Sequence, residues 1–336
     1  MSNAPSVAIV GAGAIGCLLA ARLTGATSAA VTLIARGGTA DIIRRDGITM
    51  ATPLGRVSRV PVTVTDDALS AGPQDIVFLC VKAHALTGVL DTLSSLMGPR
   101  TTVVPMVNGI PWWYPLGQPE PLGSYRLRAV DPDGLLWRAI PPERVVGSAT
   151  WVSVEGEGPG RIRHVDDQRF IFGDPLGRRT PAVEAVVELF AQAGFQARGS
   201  LDIRGDIWVK LWGNLAFNPM SALTGATMGQ LCADPGTRAV ARALMEEARA
   251  VGERLGVRFT TDIDARLASA QSVGDYRTSM LQDMDAGRRL EVDAIVRSVS
   301  ELGALVGVPT PIIDTIAALT DMRARRRGDV AAAQAA

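Results

Sequence analysis

The sequence predicts an α/β fold: a doubly wound parallel sheet followed by an all-helical domain. Three observations carry that reading. Over the first eighty residues, short β-branched runs alternate with helical stretches. Runs such as Ile76-Val77-Phe78-Leu79 are apolar throughout, as strands covered on both faces require. After Ser200 the strand pattern stops, and apolar residues recur at three- and four-residue spacing.

Taken in order, strands are expected at 7–10, 31–34, 76–81 and 103–104, with a helix at about 14–23. Residues 144–173 read as strand, glycine-rich turn (155–160) and strand, an antiparallel hairpin extending the same sheet. Helices are expected at 206–231, 235–255 and 290–306, separated by turn residues such as Asp234-Pro235 and Gly307-Val308-Pro309. The division that follows is 1–199 for the sheet domain, 200–328 for the helical domain and 329–336 for a tail. No internal repeat is visible.

Composition narrows the function. At 336 residues with 47% hydrophobic and 20% charged residues, the chain reads as a well-packed globular protein of two domains. Formal net charge is zero and the arginines are interspersed with acids, so no basic face points to nucleic acid. The cationic run Arg323, Arg325, Arg326 and Arg327 ends an apolar helical pattern, where cations suit the helix dipole. Cys17, Cys80 and Cys232 are an odd count without metal spacing, and His84 and His164 lack ligand-spaced partners. Disulfides and a zinc site are therefore disfavoured. No leader pattern and no apolar run near 18 residues is present, so no membrane partner and a cytoplasmic location are expected.

Gly11-Ala12-Gly13-Ala14-Ile15-Gly16 fits GxGxxG, follows the apolar run Val7-Ala8-Ile9-Val10 and opens a small-residue helix. In that setting the glycines let backbone amides approach a pyrophosphate at the positive end of the helix, the Rossmann-type arrangement. Beyond the second strand stands Arg36 rather than an acid, which suits the 2′-phosphate of NADPH over the free ribose hydroxyls of NADH.

Of the 34 basic residues only Lys82 and Lys210 are lysine. A lysine can give up its proton and an arginine cannot. Lys82 follows the third apolar strand at its carboxyl end, where such sheets bind cofactors. Lys210, Asn214 and Asn218 are four residues apart, and at roughly 100° per residue each step drifts only about 40°, so they form one polar stripe on an otherwise apolar helix. Such a stripe suits a polar ligand, and a carboxylate would offset the cost of burying the ammonium.

These motifs, with Val81-Lys82-Ala83, Asn108-Gly109, Ser279-Met280-Leu281-Gln282-Asp283 and Glu291-Val292-Asp293, resemble the ketopantoate reductase (2-dehydropantoate 2-reductase) family over nearly the whole chain. The resemblance implies a Rossmann domain followed by a helical substrate and dimerisation domain of the 6-phosphogluconate dehydrogenase type. It implies NADPH as cofactor, a small 2-oxo acid as partner, a step of pantothenate biosynthesis, and a homodimer as an allowed assembly. By it, Lys210 gives a proton to the substrate carbonyl and Glu291 bonds the lysine or a substrate hydroxyl. Asn108 touches cofactor and substrate, while Asn214, Asn218 and Ser279 hold the substrate's polar groups.

One check needs only helix geometry. Ser279 and Glu291 are twelve residues apart, roughly 18 Å in an unbroken helix, so both reach one small acid only if the chain breaks, and Gly287 is the expected place. Two features leave the substrate open. Tyr276 stands where family members often carry asparagine, and Trp112-Trp113-Tyr114 follow Asn108-Gly109 closely enough either to line a larger substrate site at the pocket mouth or to pack between the domains. A paralogue for a bulkier 2-oxo acid, a β-hydroxyacid dehydrogenase and a non-catalytic NADPH-binding regulator remain as alternatives.

Overall fold

The computed structural model describes residues 4–52 and 54–335, the side chains of 167 and 328–335 excepted. The tail expected at 329–336 thus lies outside the described residues, apart from the backbone of the last helix, Pro311–Ala335. The chain divides into two units: 1–107 with 134–206, and 108–133 with 207–336. This corrects the division at 199, because the stretch 108–133 goes with the helices. Its backbone is stitched there: Ile110 N–H donates to Ala294 O at 2.8 Å, and Glu301 accepts from the N–H groups of Arg128 and Ala129.

Seven strands of the first unit precede the hairpin: β1 (Ser6–Val10), β2 (Ala30–Ile34), β3 (Ile48–Ala51), β4 (Val57–Val60), β5 (Thr63–Thr65), β6 (Ile76–Leu79) and β7 (Thr102–Pro105). Three more follow: β8 (Gly147–Gly158), β9 (Arg161–Gly173) and β10 (Gln196–Ser200). The first sheet is parallel in the order β5-β2-β1-β6-β7. Starting centrally and winding outward both ways is what places a ligand site at the carboxyl ends of β1 and its neighbours. Val7 to Val10 and Ile76 to Leu79 are all buried, as continuous apolar strands foretell.

The hairpin forms, but not where expected. β8 and β9 pair antiparallel and belong to a second sheet, β10-β9-β3-β4, in which β9 also pairs with β3 and β10 in parallel. The isolated bridge Val103 to Val145 and the Ser148 hydroxyl, which donates to Pro105 O at 2.7 Å, link this stretch to β7 without a ladder. The reason is packing. Phe170 and Phe172 of β9 face Phe190 at 4.9 and 4.7 Å, and Phe190 meets Phe78 of β6 at 5.5 Å. This aromatic layer is buried face to face, each ring contributing about 1.5–3 kcal/mol of burial, which edge-on extension of the first sheet would forgo.

The second unit is helical. The stripe helix, Ile203–Thr224, ends at Gly225 with φ +76°, and a capping box at Thr227 starts a separate helix, Met228–Ala233. The single helix expected at 206–231 is therefore two. Trp208 and Trp212, one turn apart and fully buried, donate their indole N–H to Ala248 O (3.2 Å) and Met245 O (2.7 Å) of the helix Pro235–Arg254. These bonds fix the rotation of the stripe helix. Among the described residues no helix is long and apolar enough to cross a membrane, and no acid, histidine or cysteine cluster could hold a metal ion.

Candidate active site

In the first unit, β1 turns directly into the helix Ala14–Ala26 through Gly11 and Gly13. Gly11 has φ +109°, and a Cβ there would come 2.8 Å from Val81 Cγ1. A Cβ on Gly16 would overlap the Gly11 carbonyl oxygen. Both positions therefore exclude any side chain, Gly16 because of the loop's own backbone and Gly11 because of its positive φ and the segment after β6. The helix start is bare: Gly13 offers no capping side chain, and the first turn carries no acid. Gly13 is exposed and Gly11, Ala12, Ala14 and Ile15 are only partly buried, with Gly16 buried beneath them, so the amides at the helix start form an accessible, positively polarised cradle. That cradle fits a pyrophosphate.

Arg36 lies two residues past β2, exposed, and immediately precedes the helix Gly37–Asp46. Its fixed charge stands beside a helix N-terminus with no acid in the first turn, which fits a second phosphate better than a ribose hydroxyl. Lys82 follows β6, half-buried, at the N-cap of a short 3₁₀ turn, Ala83–Ala85. The close packing of Val81 and Cys80 against Gly11 puts this segment at the same end of the sheet as the glycine loop.

In the second unit, Lys210 Nζ donates to Asn108 Oδ1 at 2.6 Å. Burial pushes the Lys210 ammonium down to about 8, and the Glu291 charge opposes that fall. Asn108 and Glu291 are brought to the lysine by one backbone device. Gly109 has φ +84° and a Cβ there would overlap the Ala294 carbonyl, to which Ile110 N–H and the Ser298 hydroxyl also bond at 2.8 and 2.7 Å. Ala294 belongs to a five-residue π-helical turn, Asp293–Arg297. Such a turn widens the ladder, so one carbonyl can serve two outside donors. Neither the turn nor the role of Ala294 was foreseen. A glycine directly after a functional asparagine was the available signal.

The expected break is present. The helix Ser279–Asp285 ends before Gly287, whose φ is +67°, and Glu291 stands just ahead of the next helical turn, buried at 5% exposure. Asn214 is half-buried and Asn218 buried, and neither amide hydrogen-bonds another described residue. Their capacity is free for a ligand, as buried amides require. Ser279 is half-buried at its helix start, and makes no hydrogen bond to the lysine group. Tyr276 serves locally through its carbonyl, which accepts from Met228 N–H at 3.0 Å.

The aromatic trio is core. Trp112, Trp113 and Tyr114 are at most 1% exposed, and Tyr114 packs on Trp208 at 5.9 Å between centroids. They anchor the stretch after Asn108 against the stripe helix and do not line a pocket mouth.

Comparison with known proteins agrees with this geometry. Residues 7–177 match the family model described as ketopantoate reductase PanE/ApbA, and residues 202–324 match that of its C-terminal part. A 2-dehydropantoate 2-reductase of Mesorhizobium japonicum is 48% identical over 322 residues, 96% of this chain and 98% of the relative. A Ralstonia solanacearum protein held to be a ketopantoate reductase superposes with TM-score 0.91 at 42% identity, over 96% of this chain and 99% of that one. The Geobacter metallireducens 2-dehydropantoate 2-reductase gives 0.82 at 26%, over 94% and 99%. A D-mandelate dehydrogenase solved with NADH shares the fold, with TM-score 0.82 at 20% identity over 96% and 99%. With both family models matched in order and a relative 48% identical along almost its whole length, the chain belongs to the ketopantoate reductase family of oxidoreductases.

Proposed function

We propose that the chain catalyses the NADPH-dependent reduction of a 2-oxo acid to the 2-hydroxy acid, with 2-dehydropantoate giving pantoate as its substrate. The observation that carries this reading is the Lys210 ammonium, hydrogen-bonded to Asn108 and lowered to about 8. A general acid works best with a pKa near the operating pH. The family relatives that bear the name 2-dehydropantoate 2-reductase support the substrate.

When bound, NADPH supplies the hydride that adds to the carbonyl carbon. Gly11, Gly13, Ala14, Ile15 and Gly16 hold its pyrophosphate through backbone amides, Arg36 neutralises the 2′-phosphate, and Lys82 adds a cationic contact at the same sheet end. The fold alone does not choose between cofactors, since a D-mandelate dehydrogenase of this fold was solved with NADH. Arg36 makes the choice.

Lys210 donates its proton to the substrate's carbonyl oxygen, so the new C–H and O–H bonds form together and no alkoxide is released into a desolvated site. Asn108 aims the ammonium. Glu291 keeps it protonated near neutral pH. Asn214, Asn218 and Ser279 orient the substrate's polar groups. A regulator that had lost catalysis would have no need of this arrangement around Lys210.

The test follows NADPH and NADH oxidation with 2-dehydropantoate and a series of bulkier 2-oxo acids, for wild type and Lys210→Ala. The expected result is NADPH preference, turnover best with 2-dehydropantoate, and a loss of about 10²–10⁴ in kcat in the variant. Undiminished turnover in Lys210→Ala removes the acid, and equal rates with NADH remove the role of Arg36.

A further inference from the structure

A substrate that is a 2-oxo acid brings a permanent negative charge. Lys210 is bonded to Asn108 and loses its charge when it gives up its proton, Asn214 and Asn218 are neutral, and Glu291 is an acid. None of these groups carries a positive charge that survives the proton transfer. The second unit places such a charge against the stripe. Arg266 stands on the helix Ile263–Ser272, half-buried, with its guanidinium laid against Gly213 of the stripe helix. A Cβ at Gly213 would come 2.9 Å from Arg266 Nη2, 3.5 Å from Nε and 3.6 Å from Cζ. Gly213 directly precedes Asn214 and lies three residues beyond Lys210, so at roughly 100° per residue it borders the polar stripe about 60° from the lysine. It is the one residue there without a side chain, and the guanidinium fills that space. Val209, Lys210, Gly213 and Asn214 are all only partly buried, whereas Leu211, Trp212, Leu215 and Ala216 are buried. The arginine thus borders the open side of the helix and not its packed side.

Resting on the reading of Lys210 as the acid, we propose that Arg266 binds the substrate's carboxylate and makes the enzyme selective for free 2-oxo acids over their esters and amides. A guanidinium keeps its charge through the proton transfer that discharges the lysine, and its planar fork matches a carboxylate in two hydrogen bonds. Division of labour follows: Arg266 holds the end of the substrate that does not change, and Lys210 meets the oxygen that does.

The experiment compares wild type, Arg266→Gln, Arg266→Lys and Lys210→Ala on 2-dehydropantoate and its methyl ester, with thermal midpoints and NADPH KM recorded for each. Arg266→Gln is expected to raise KM for the acid about 10- to 100-fold with little change for the ester, so that discrimination between them collapses. Arg266→Lys recovers part of the discrimination, and Lys210→Ala lowers kcat for acid and ester alike. A structural role would instead move both substrates and the thermal midpoint together, and that outcome, or an unchanged acid KM, overturns the proposal. Oxamate binding to the NADP-loaded protein separates the two readings. Binding that depends on Arg266 in a protein that reduces no 2-oxo acid keeps the carboxylate site and rejects the reaction, whereas no binding, or equal binding by wild type and Arg266→Gln, rejects the site.

Discussion

At the glycine loop the groups offered to a ligand are backbone amides, and at the lysine group they are side chains, although a backbone contact, Gly109 on Ala294, helps to bring those side chains together. Gly11 and Gly16 are fixed because a Cβ would strike Val81 in the one case and the Gly11 carbonyl in the other, while the atoms proposed to meet the cofactor are amides that nearly any residue possesses. Lys210, Asn108 and Glu291 come from three separate stretches and are fixed because an ammonium of lowered pKa needs one acceptor and one opposing charge. Binding can thus be destroyed by adding a methyl group, and catalysis only by removing a function. The two regions should fail differently under substitution.

The sharpest contrast uses the same substitution at the two lysines. Lys210→Arg keeps the charge but removes a proton that can leave, so kcat is expected to fall by about 10²–10⁴. Lys82→Arg keeps a cation where a cofactor contact is all that is asked, and NADPH KM is expected to rise only a few-fold. Steady-state kinetics of both variants decide the matter. Comparable losses in kcat at the two sites would dissolve the distinction between a binding and a reacting lysine.

Next in size is Gly16→Ala. Its Cβ would overlap the Gly11 carbonyl oxygen, so the loop must shift at a cost of about 1–3 kcal/mol. The expected outcome is a rise of about tenfold or more in NADPH Kd, measured by fluorescence titration, with the pH dependence of residual turnover unchanged. A Gly16→Ala protein that binds NADPH as wild type does would mean that the loop is not the phosphate cradle.

The same contrast explains what was legible in the sequence. A contiguous loop carries its own signature, so the glycines, the bare helix start and Arg36 could be read in place. The stripe of Lys210, Asn214 and Asn218 was legible because helical periodicity is local, and the break before Glu291 because Gly287 marks it. What stayed hidden depended on contacts between distant stretches. No local pattern says that Phe190 gathers β6 and β9 across two sheets, so the hairpin was assigned to the wrong one. Nor does it say that Ala294 O binds Ile110 N–H, so residues 108–133 were placed with the wrong unit and the role of their aromatic trio stayed open between a pocket and packing. Arg266 was invisible for the same reason, since only the fold brings it to Gly213.

The smallest expected effect is the most discriminating, because it moves a pH profile without deleting the acid. Reduction requires the protonated form of Lys210, so kcat/KM for the 2-oxo acid should fall as pH rises through about 8, whereas oxidation of the 2-hydroxy acid requires the neutral amine and its kcat/KM should rise over the same range. Burial lowers this lysine and Glu291 opposes that lowering. In Glu291→Gln the opposition is gone and the burial remains, so the lysine pKa moves further down and the alkaline limb of the reduction profile shifts to lower pH. At neutral pH the variant loses part of its protonated lysine and is slower, and below the shifted limb it approaches wild-type kcat/KM. Profiles of kcat/KM for reduction and oxidation, measured on wild type and Glu291→Gln, should therefore move together and in the same direction. A limb that stays in place, or one that moves to higher pH, would mean that Glu291 acts on the substrate and not through the charge of Lys210.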